Sequence, residues 1–526
     1  MGEATAKPCG SIGNYLVLVF ITVANLITSF GENVIIAKVF GRSVPMDAFL
    51  VGRSLPDLLG NIIGAAEYGL LIPLAMEFLH SRGRAGYGAF NRLFLGIGML
   101  VFTLAGGVGA ALSPWIVGRF LSVHPEQLGL TVLTMQVMFF ALPLTIFSFA
   151  GRGLLEIDGN FYAGSLPGII RSLCIIIVLT LVGQRMGPVA LLWATGGATL
   201  LGSLTLLGFF LKRNTFVGHG LTFAEWGWPI AGMLSAALPI ALINSIYLFY
   251  PFVDRVMVGL LDRGAVTSLF YAFQVLLVPH TLINGALGAV IYPSLARLCA
   301  EDDRQALRAL IVRALRGTCL IGIVISAALV LFRELAVAGI FQRGMFTSED
   351  TRHTSVLLGW YGVGFMFLGP ISIATRLLMA MRATWQLFTL GLLAFICKAG
   401  LNYVMVGFGA SGFAMATSLT GAVLLAAEIS CLLWIRPGFL VWRDFLDLMP
   451  FAAISAVLVL GLSKISALHT ATPHPAGMAM MITLVGSASL MVLLSILVSL
   501  LRLPETADLA KGVRIIMARC GLRPGG

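Results

Sequence analysis

About fourteen runs of roughly 20 apolar residues follow one another along this chain, each long enough to cross a hydrocarbon core about 30 Å thick as a helix. Their cores are 14–37, 47–77, 88–113, 128–150, 161–182, 187–211, 229–253, 266–296, 309–332, 354–379, 386–407, 411–435, 447–466 and 478–501. In lipid every backbone N–H and C=O must find its partner inside the segment, so apolar runs of this length fold as helices. The fold class is therefore all-α, a polytopic membrane protein. Composition agrees: 58% of residues are hydrophobic and only 11% charged, with a mean hydropathy of +0.97. A soluble domain carries about 25% charged residues. The second and eighth runs are longer than a bilayer needs and are expected to extend past it as tilted helices.

Charge sets an orientation. Arg82, Arg84, Arg152, Lys212, Arg213, Arg297, Arg304, Arg308, Arg382, Arg436 and Arg443 follow even-numbered runs, and the tail adds Arg502, Lys511, Arg514, Arg519 and Arg523. Fewer basic residues follow the odd-numbered runs. Cytoplasmic loops hold the excess of Lys and Arg, which places the even side and both termini in the cytoplasm. The net charge of +11 is spread between apolar runs, so it is a topology signal and not a nucleic-acid patch. The first run, preceded only by Lys7, is read as a retained helix rather than a signal peptide.

The stretch from 22 to 67 breaks the apolar pattern. Thr22, Asn25, Ser29 and Glu32 recur every three or four residues and share a helix face; Arg53, Asp57, Asn61, Gly64 and Glu67 do the same on the next run. A charge at the bilayer centre costs about 2.5–3.5 kcal/mol on insertion scales, so such stripes face a bundle interior or a water-filled cavity. The alternative is that Arg53 and Asp57 pair at i,i+4 along their own helix. Lys398 lies inside the eleventh run with Asn402 one turn on, a functional candidate by its position. Asp254 and Arg255 end the seventh run, as a gate, a head-group contact or an interfacial pair with Arg255 reaching water. Arg376 and Arg382 read as boundary anchors of the tenth run.

Covalent chemistry finds no support. No lysine is followed by Ser or Thr, which excludes a Walker A loop; the histidines are scattered without HExxH spacing. The seven cysteines form no CxxC and read as small apolar filler. No metal or cofactor is expected, and no gap between runs would hold a soluble catalytic domain. Transport is the leading class. A faint repeat aligns 31–53 with 253–274, so that Glu32 meets Asp254 and Arg53 meets Gln274; internal repeats are common in transporters.

Eight segments carry a resemblance to a known family: AKVFG at 37–41, MDAFLVG at 46–52, LPDLL at 55–59, IPLAMEF at 72–78, VDRVMVGLLDRGAVTSLFYA at 253–272, YPSLARL at 292–298, IFQRGMFTSED at 340–350 and GASGFAMATSL at 409–419. Together they resemble the MurJ (MviN) family of lipid II flippases, within the wider group of multidrug, oligosaccharidyl-lipid and polysaccharide exporters. The resemblance implies two six-helix lobes, 1–213 and 214–436, a polyprenyl-tail groove at 437–501 and a basic cytoplasmic tail at 502–526. It implies a bacterial inner-membrane flippase that moves an undecaprenyl-diphosphate-linked glycan to the outer leaflet by alternating access. Partners would be that lipid-linked glycan, membrane lipids and cell-envelope synthesis proteins, with no nucleic acid. Membrane potential, Na+ and H+ all stay open as the energy source.

The chain departs from the family pattern where it matters. Glu32-Asn33 stands where Arg-Asp is usual, Gly60-Asn61 where Arg-Arg is usual, and Gln274 where Arg is usual. Lys38, Asp47 and Arg53 keep the pattern. Substrate contact is therefore assigned to Lys38, Arg53, Arg255 and Lys398, with Glu32, Asn61 and Gln274 at the altered positions. Gating or ion coupling is assigned to Asp47, Asp57, Glu67 and Asp254. Other readings stay open: a flippase for an exopolysaccharide intermediate, an ion-coupled exporter of cationic or amphipathic molecules using Glu32, Asp57 and Glu67, or a non-transporting scaffold.

Overall fold

The structure is a computed structural model of the chain and describes residues 12–212 except 122 and 159, 252–257, and 261–446. Eleven labelled helices are used below. In the first half these are α1 (Ile12–Phe40), α2 (Val44–Phe120), α3 (Leu128–Ile157), α4 (Phe161–Met186) and α5 (Pro188–Lys212). The second half has α6 (Ala265–Ala300), α7 (Arg304–Leu331), α8 (Arg333–Phe341), α9 (Ser348–Ala380), α10 (Thr384–Met405) and α11 (Ala410–Ile435).

Ten stretches among the described residues are long and apolar enough to cross a membrane, and they coincide with ten of the runs read from the sequence. In two of these the most apolar window is only 17% buried within the protein. Leu100 and Leu104 stand out on the surface of one of these, and Leu181, Trp193 and Trp434 on other spans. In water that pattern would be a liability; against lipid tails it is the expected exterior. The runs at 447–466 and 478–501, the tail from 502, and all but the last two residues of the run at 229–253 lie outside the described residues.

The second and third runs are not joined by a loop, contrary to the connecting segment expected at Arg82 and Arg84. They form one element, α2, broken at a single residue: Gly83 has φ 65° and ψ −167°. That backbone region is essentially open to glycine alone. The arms 44–82 and 84–120 fold against each other there, with the Phe78 and Phe90 rings stacked at 4.8 Å. A cluster of Leu71, Leu74, Tyr87, Leu154 and Phe210 closes over the elbow.

The chain divides into two compact units: residues 1–267 with 343–346, and residues 268–342 with 347–526. In the first, α2 packs most extensively on α3, α1 on α4, and α4 on α5. Pro45 in the first turn of α2 starts that helix where its missing N–H costs nothing. In the second unit α9 is central and packs on α7, α11 and α8. The FTSED segment starts α9 with a reciprocal cap: the Thr347 hydroxyl accepts from the Asp350 N–H, and the Asp350 carboxylate accepts from the Thr347 N–H. Helices approach closely where small residues allow it. Gly364 of α9 lies against Ser418 of α11, whose hydroxyl donates to the Trp360 carbonyl at 2.7 Å.

Candidate functional site

The polar stripes of α1 and α2 meet partners inside the first unit, buried at Glu32 and Ser172, half-buried at Arg53 and Asp57 and exposed at Asn61. Glu32 is buried, and its Oε2 accepts from the Ser172 hydroxyl at 2.8 Å with the Arg171 guanidinium at 3.7 Å, both from α4. On α2, Arg53 Nε donates to Asp57 Oδ2 at 2.6 Å, so the i,i+4 pair is formed. The Arg53 guanidinium also lies over the Phe49 ring at 5.4 Å and within electrostatic reach of Glu32. Asn61 donates to the Asp57 carbonyl at 2.7 Å. The pair is therefore more than a helix staple: α1, α2 and α4 contribute two carboxylates, two guanidiniums, a hydroxyl and an amide to one polar neighbourhood. Gly64 lies against the Phe149 ring, so that end of the stripe packs on α3.

Asp47 sits elsewhere, at the start of α2. It is buried and accepts three hydrogen bonds: Gly264 N–H at 2.6 Å, Thr267 N–H at 2.8 Å and Thr267 Oγ1 at 2.6 Å. These are the first donors of α6, which begins at Ala265, so Asp47 caps that helix from a distant part of the chain. Arg42 Nε donates to the Gly264 carbonyl at 3.2 Å. Gly264 is thus held at both its N–H and its C=O, at φ +79°. Nearby, the Lys38 carbonyl accepts from Met345 N–H at 2.9 Å while the Lys38 side chain is exposed. Asp254 is buried and Arg255 half-buried at the close of the seventh run. The Glu67 side chain lies outside the described residues.

In the second unit Gln274 of α6 is half-buried. Lys398 is fully buried and donates to Asn402 Oδ1 at 2.8 Å and to the Phe413 carbonyl at 3.0 Å. Arg376 is not the boundary anchor expected from its sequence position. Its guanidinium turns inward and donates to Ser372 Oγ at 2.5 Å, Asn284 Oδ1 at 2.7 Å and the Asn284 carbonyl at 3.0 Å. A cavity of about 10 Å³, room for one water, opens beside them, lined by His280, Asn284, Thr318, Gly322, Phe365 and Ser372.

Sequence reasoning passed over Arg171, Ser172, Asn284 and the inward course of Arg376. Arg171 carried a usable signal, being a lone charge in the middle of the fifth run. The described side chains pair charges and hydrogen-bonding groups inside a membrane bundle. That arrangement suits holding a polar, charged head group.

The family model described as "Lipid II flippase MurJ" matches residues 36–502. A "Probable lipid II flippase MurJ" of Buchnera aphidicola subsp. Acyrthosiphon pisum (strain APS) is 24% identical over 422 residues, covering 76% of this chain and 80% of the relative. Among solved structures, "Lipid II flippase MurJ, inward closed conformation" superposes with a TM-score of 0.76 at 19% identity, over 93% of this chain and 100% of that one. An inward-facing multidrug resistance MATE family transporter of the MOP superfamily superposes with a TM-score of 0.65 at 16% identity, over 81% and 98% of the two chains.

Proposed function

This chain belongs to the lipid II flippase MurJ family, and from that premise we propose that it carries lipid II, an undecaprenyl-diphosphate-linked glycan, from the inner to the outer leaflet of the bacterial inner membrane. The observation that carries the reading is the family match, which runs from 36 to 502 without being confined to one part of the chain. The chemistry is compatible. A charged, sugar-rich head group needs a polar path, while its polyprenyl tail can stay in lipid. In the first unit, Arg53 and Arg171 supply guanidinium groups, which suit a diphosphate because they can donate two parallel hydrogen bonds to its oxygens. Glu32 and Asp57 hold those guanidiniums in place until the anionic substrate competes for them.

Both termini face the cytoplasm in this reading, on the strength of the basic residues after even-numbered runs. The protein works without a cofactor. Membrane potential supplies about 2.3 kcal/mol per charge moved through 100 mV, and a co-transported Na+ or H+ would add to it. Envelope-synthesis proteins are the natural partners of such a carrier.

A second reading has one observation in its favour. Glu32 stands where the family pattern usually has arginine, and it is engaged by Ser172 and Arg171. A less cationic neighbourhood suits a different polyprenyl-linked glycan, such as an exopolysaccharide intermediate. Rescue of cells depleted of their own lipid II flippase separates the two. Growth restored by the wild-type chain, and lost in Arg53→Ala at equal expression, supports lipid II transport. Failure of a well-expressed wild-type chain rejects it in favour of another lipid-linked glycan.

A further inference from the structure

Beyond α11 the chain turns back onto the second unit. Pro437 and Gly438, the latter at φ +76°, redirect it, and residues 436–446 come to the start of α7. Asp444 is the anchor. Arg308 Nη2 donates to its Oδ1 at 3.0 Å and its Oδ2 at 2.8 Å, while Arg308 Nε donates to the Phe439 carbonyl at 3.1 Å. Arg316, two turns further along α7 and buried, donates to the Asp444 backbone carbonyl at 2.8 Å. Asp444 Oδ2 also accepts from the Val441 N–H at 3.1 Å, so the same carboxylate holds the short 3-10 turn Trp442–Phe445. At the other end Arg436 donates to Asp302, in the turn between α6 and α7, at 3.0 Å. Each of these ties between the segment and the α6–α7 corner has a guanidinium as its donor. Backbone bonds within the segment are local: the Phe439 N–H donates to Arg436 at 3.2 Å and the Asp444 N–H to Val441 at 2.8 Å. Phe439 and Leu440 add buried apolar surface. The Arg308 and Asp444 side chains are 42% and 19% exposed, and those of Arg436 and Asp302 28% and 63%. Ion pairs that water reaches are screened by salt and contribute little each. Structure held that way opens locally, well below the free energy of global unfolding.

We propose that residues 436–446 form a releasable strap: they open from α7 and close on it as one charge-held piece while the helices stay packed, with Asp444 as the latch. Residues 447–526 follow the strap in the chain, so its state sets whether they start from a point fixed on the second unit or from a free one. The inference goes beyond the substrate reading and does not rest on it, because the latch is indifferent to which glycan is carried.

The test is hydrogen exchange with mass spectrometry on the purified full-length protein, read at a peptide spanning 436–446 and at peptides from α9, with thermal unfolding alongside. Wild type, Arg308→Ala, Asp444→Ala and Arg313→Ala are compared; Arg313 is an exposed arginine of the same helix whose Nε donates to the Ala309 carbonyl one turn back. Arg308→Ala and Asp444→Ala should each speed exchange at 436–446 about tenfold, leave α9 unchanged and keep the melting temperature within about 2 °C of wild type. Arg313→Ala should leave 436–446 at the wild-type rate. In wild type, going from about 0.1 M to about 1 M NaCl should itself speed exchange at 436–446, and that salt effect should vanish in Arg308→Ala. Three results would overturn the proposal. One is exchange at 436–446 that stays within about threefold of wild type in both alanine variants of the latch. Another is a melting temperature lowered by more than about 2 °C, a failure to fold, or α9 exchange rising in step, since the segment is then part of the bundle and not a strap. The last is wild-type exchange at 436–446 indifferent to salt, which is read without any substitution.

Discussion

Replacing Asp47 with asparagine changes two atoms' worth of chemistry at the head of α6. Asp47 is 4% exposed, and one of its oxygens faces Gly264 N–H while the other takes both Thr267 donors. Asparagine keeps one acceptor, which can stay with Thr267, and turns an NH2 toward the Gly264 N–H, donor against donor. A hydrogen bond to a charged group contributes about 1.5–3 kcal/mol, and stranding a buried donor costs about 1–3 kcal/mol. The charge also sits at the positive end of α6, worth about 0.3–1 kcal/mol. These effects overlap, so about 3 kcal/mol is the working figure for local opening. At about 1.4 kcal/mol per decade, this is roughly a hundredfold more opening of the first turn of α6. Hydrogen exchange with mass spectrometry on a peptide spanning 261–272, in wild type and Asp47→Asn, reads it directly. The Gly264 and Thr267 amides should exchange about a hundredfold faster, with peptides from α10 unchanged. Exchange within about threefold of wild type would refute the assignment of Asp47 as the cap.

Four further substitutions probe other parts of the structure. Gly83→Ala meets no steric neighbour, so its whole effect is backbone strain; a loss of about 1–3 kcal/mol is expected as a lowered melting temperature, and an unchanged one would argue against the elbow. Arg171→Ala and Glu32→Gln should each weaken rescue of flippase-depleted cells, and their double variant should be no worse than the poorer single, since the two groups act on each other. Gly264→Ala combines φ +79° with a collision against the Arg42 side chain, so it should speed exchange in the same 261–272 peptide as Asp47→Asn does.

The membrane spans were legible because lipid imposes a length and a composition that a run of letters reveals directly. Helical periodicity also carried the Arg53–Asp57 pair, which needs only i,i+4 spacing; Lys398 read as a lone charge with no partner in its own helix, whereas it donates to Asn402 one turn on. The elbow at Gly83 was hidden because Arg82 and Arg84 read as a polar loop, whereas one left-handed residue does the work of one. The Phe413 carbonyl could not be read at all, since a backbone acceptor leaves no mark on residue identity. Asp47 matched a family position, yet its role at Thr267 depends on a contact spanning much of the chain. Arg376 misled for a related reason: proximity to a span's end says nothing about which way a long side chain turns.

The elbow also bears on which pieces of the protein can be exchanged. A single non-helical residue separates the arms of α2, and Phe78 and Phe90 stack across it. Leu71, Leu74 and Phe78 of one arm and Tyr87 and Phe90 of the other share one apolar cluster. Replacing one arm from a different protein would leave the apolar face of the other without its match, so the unit that recombination can exchange here is the hairpin and not the single helix.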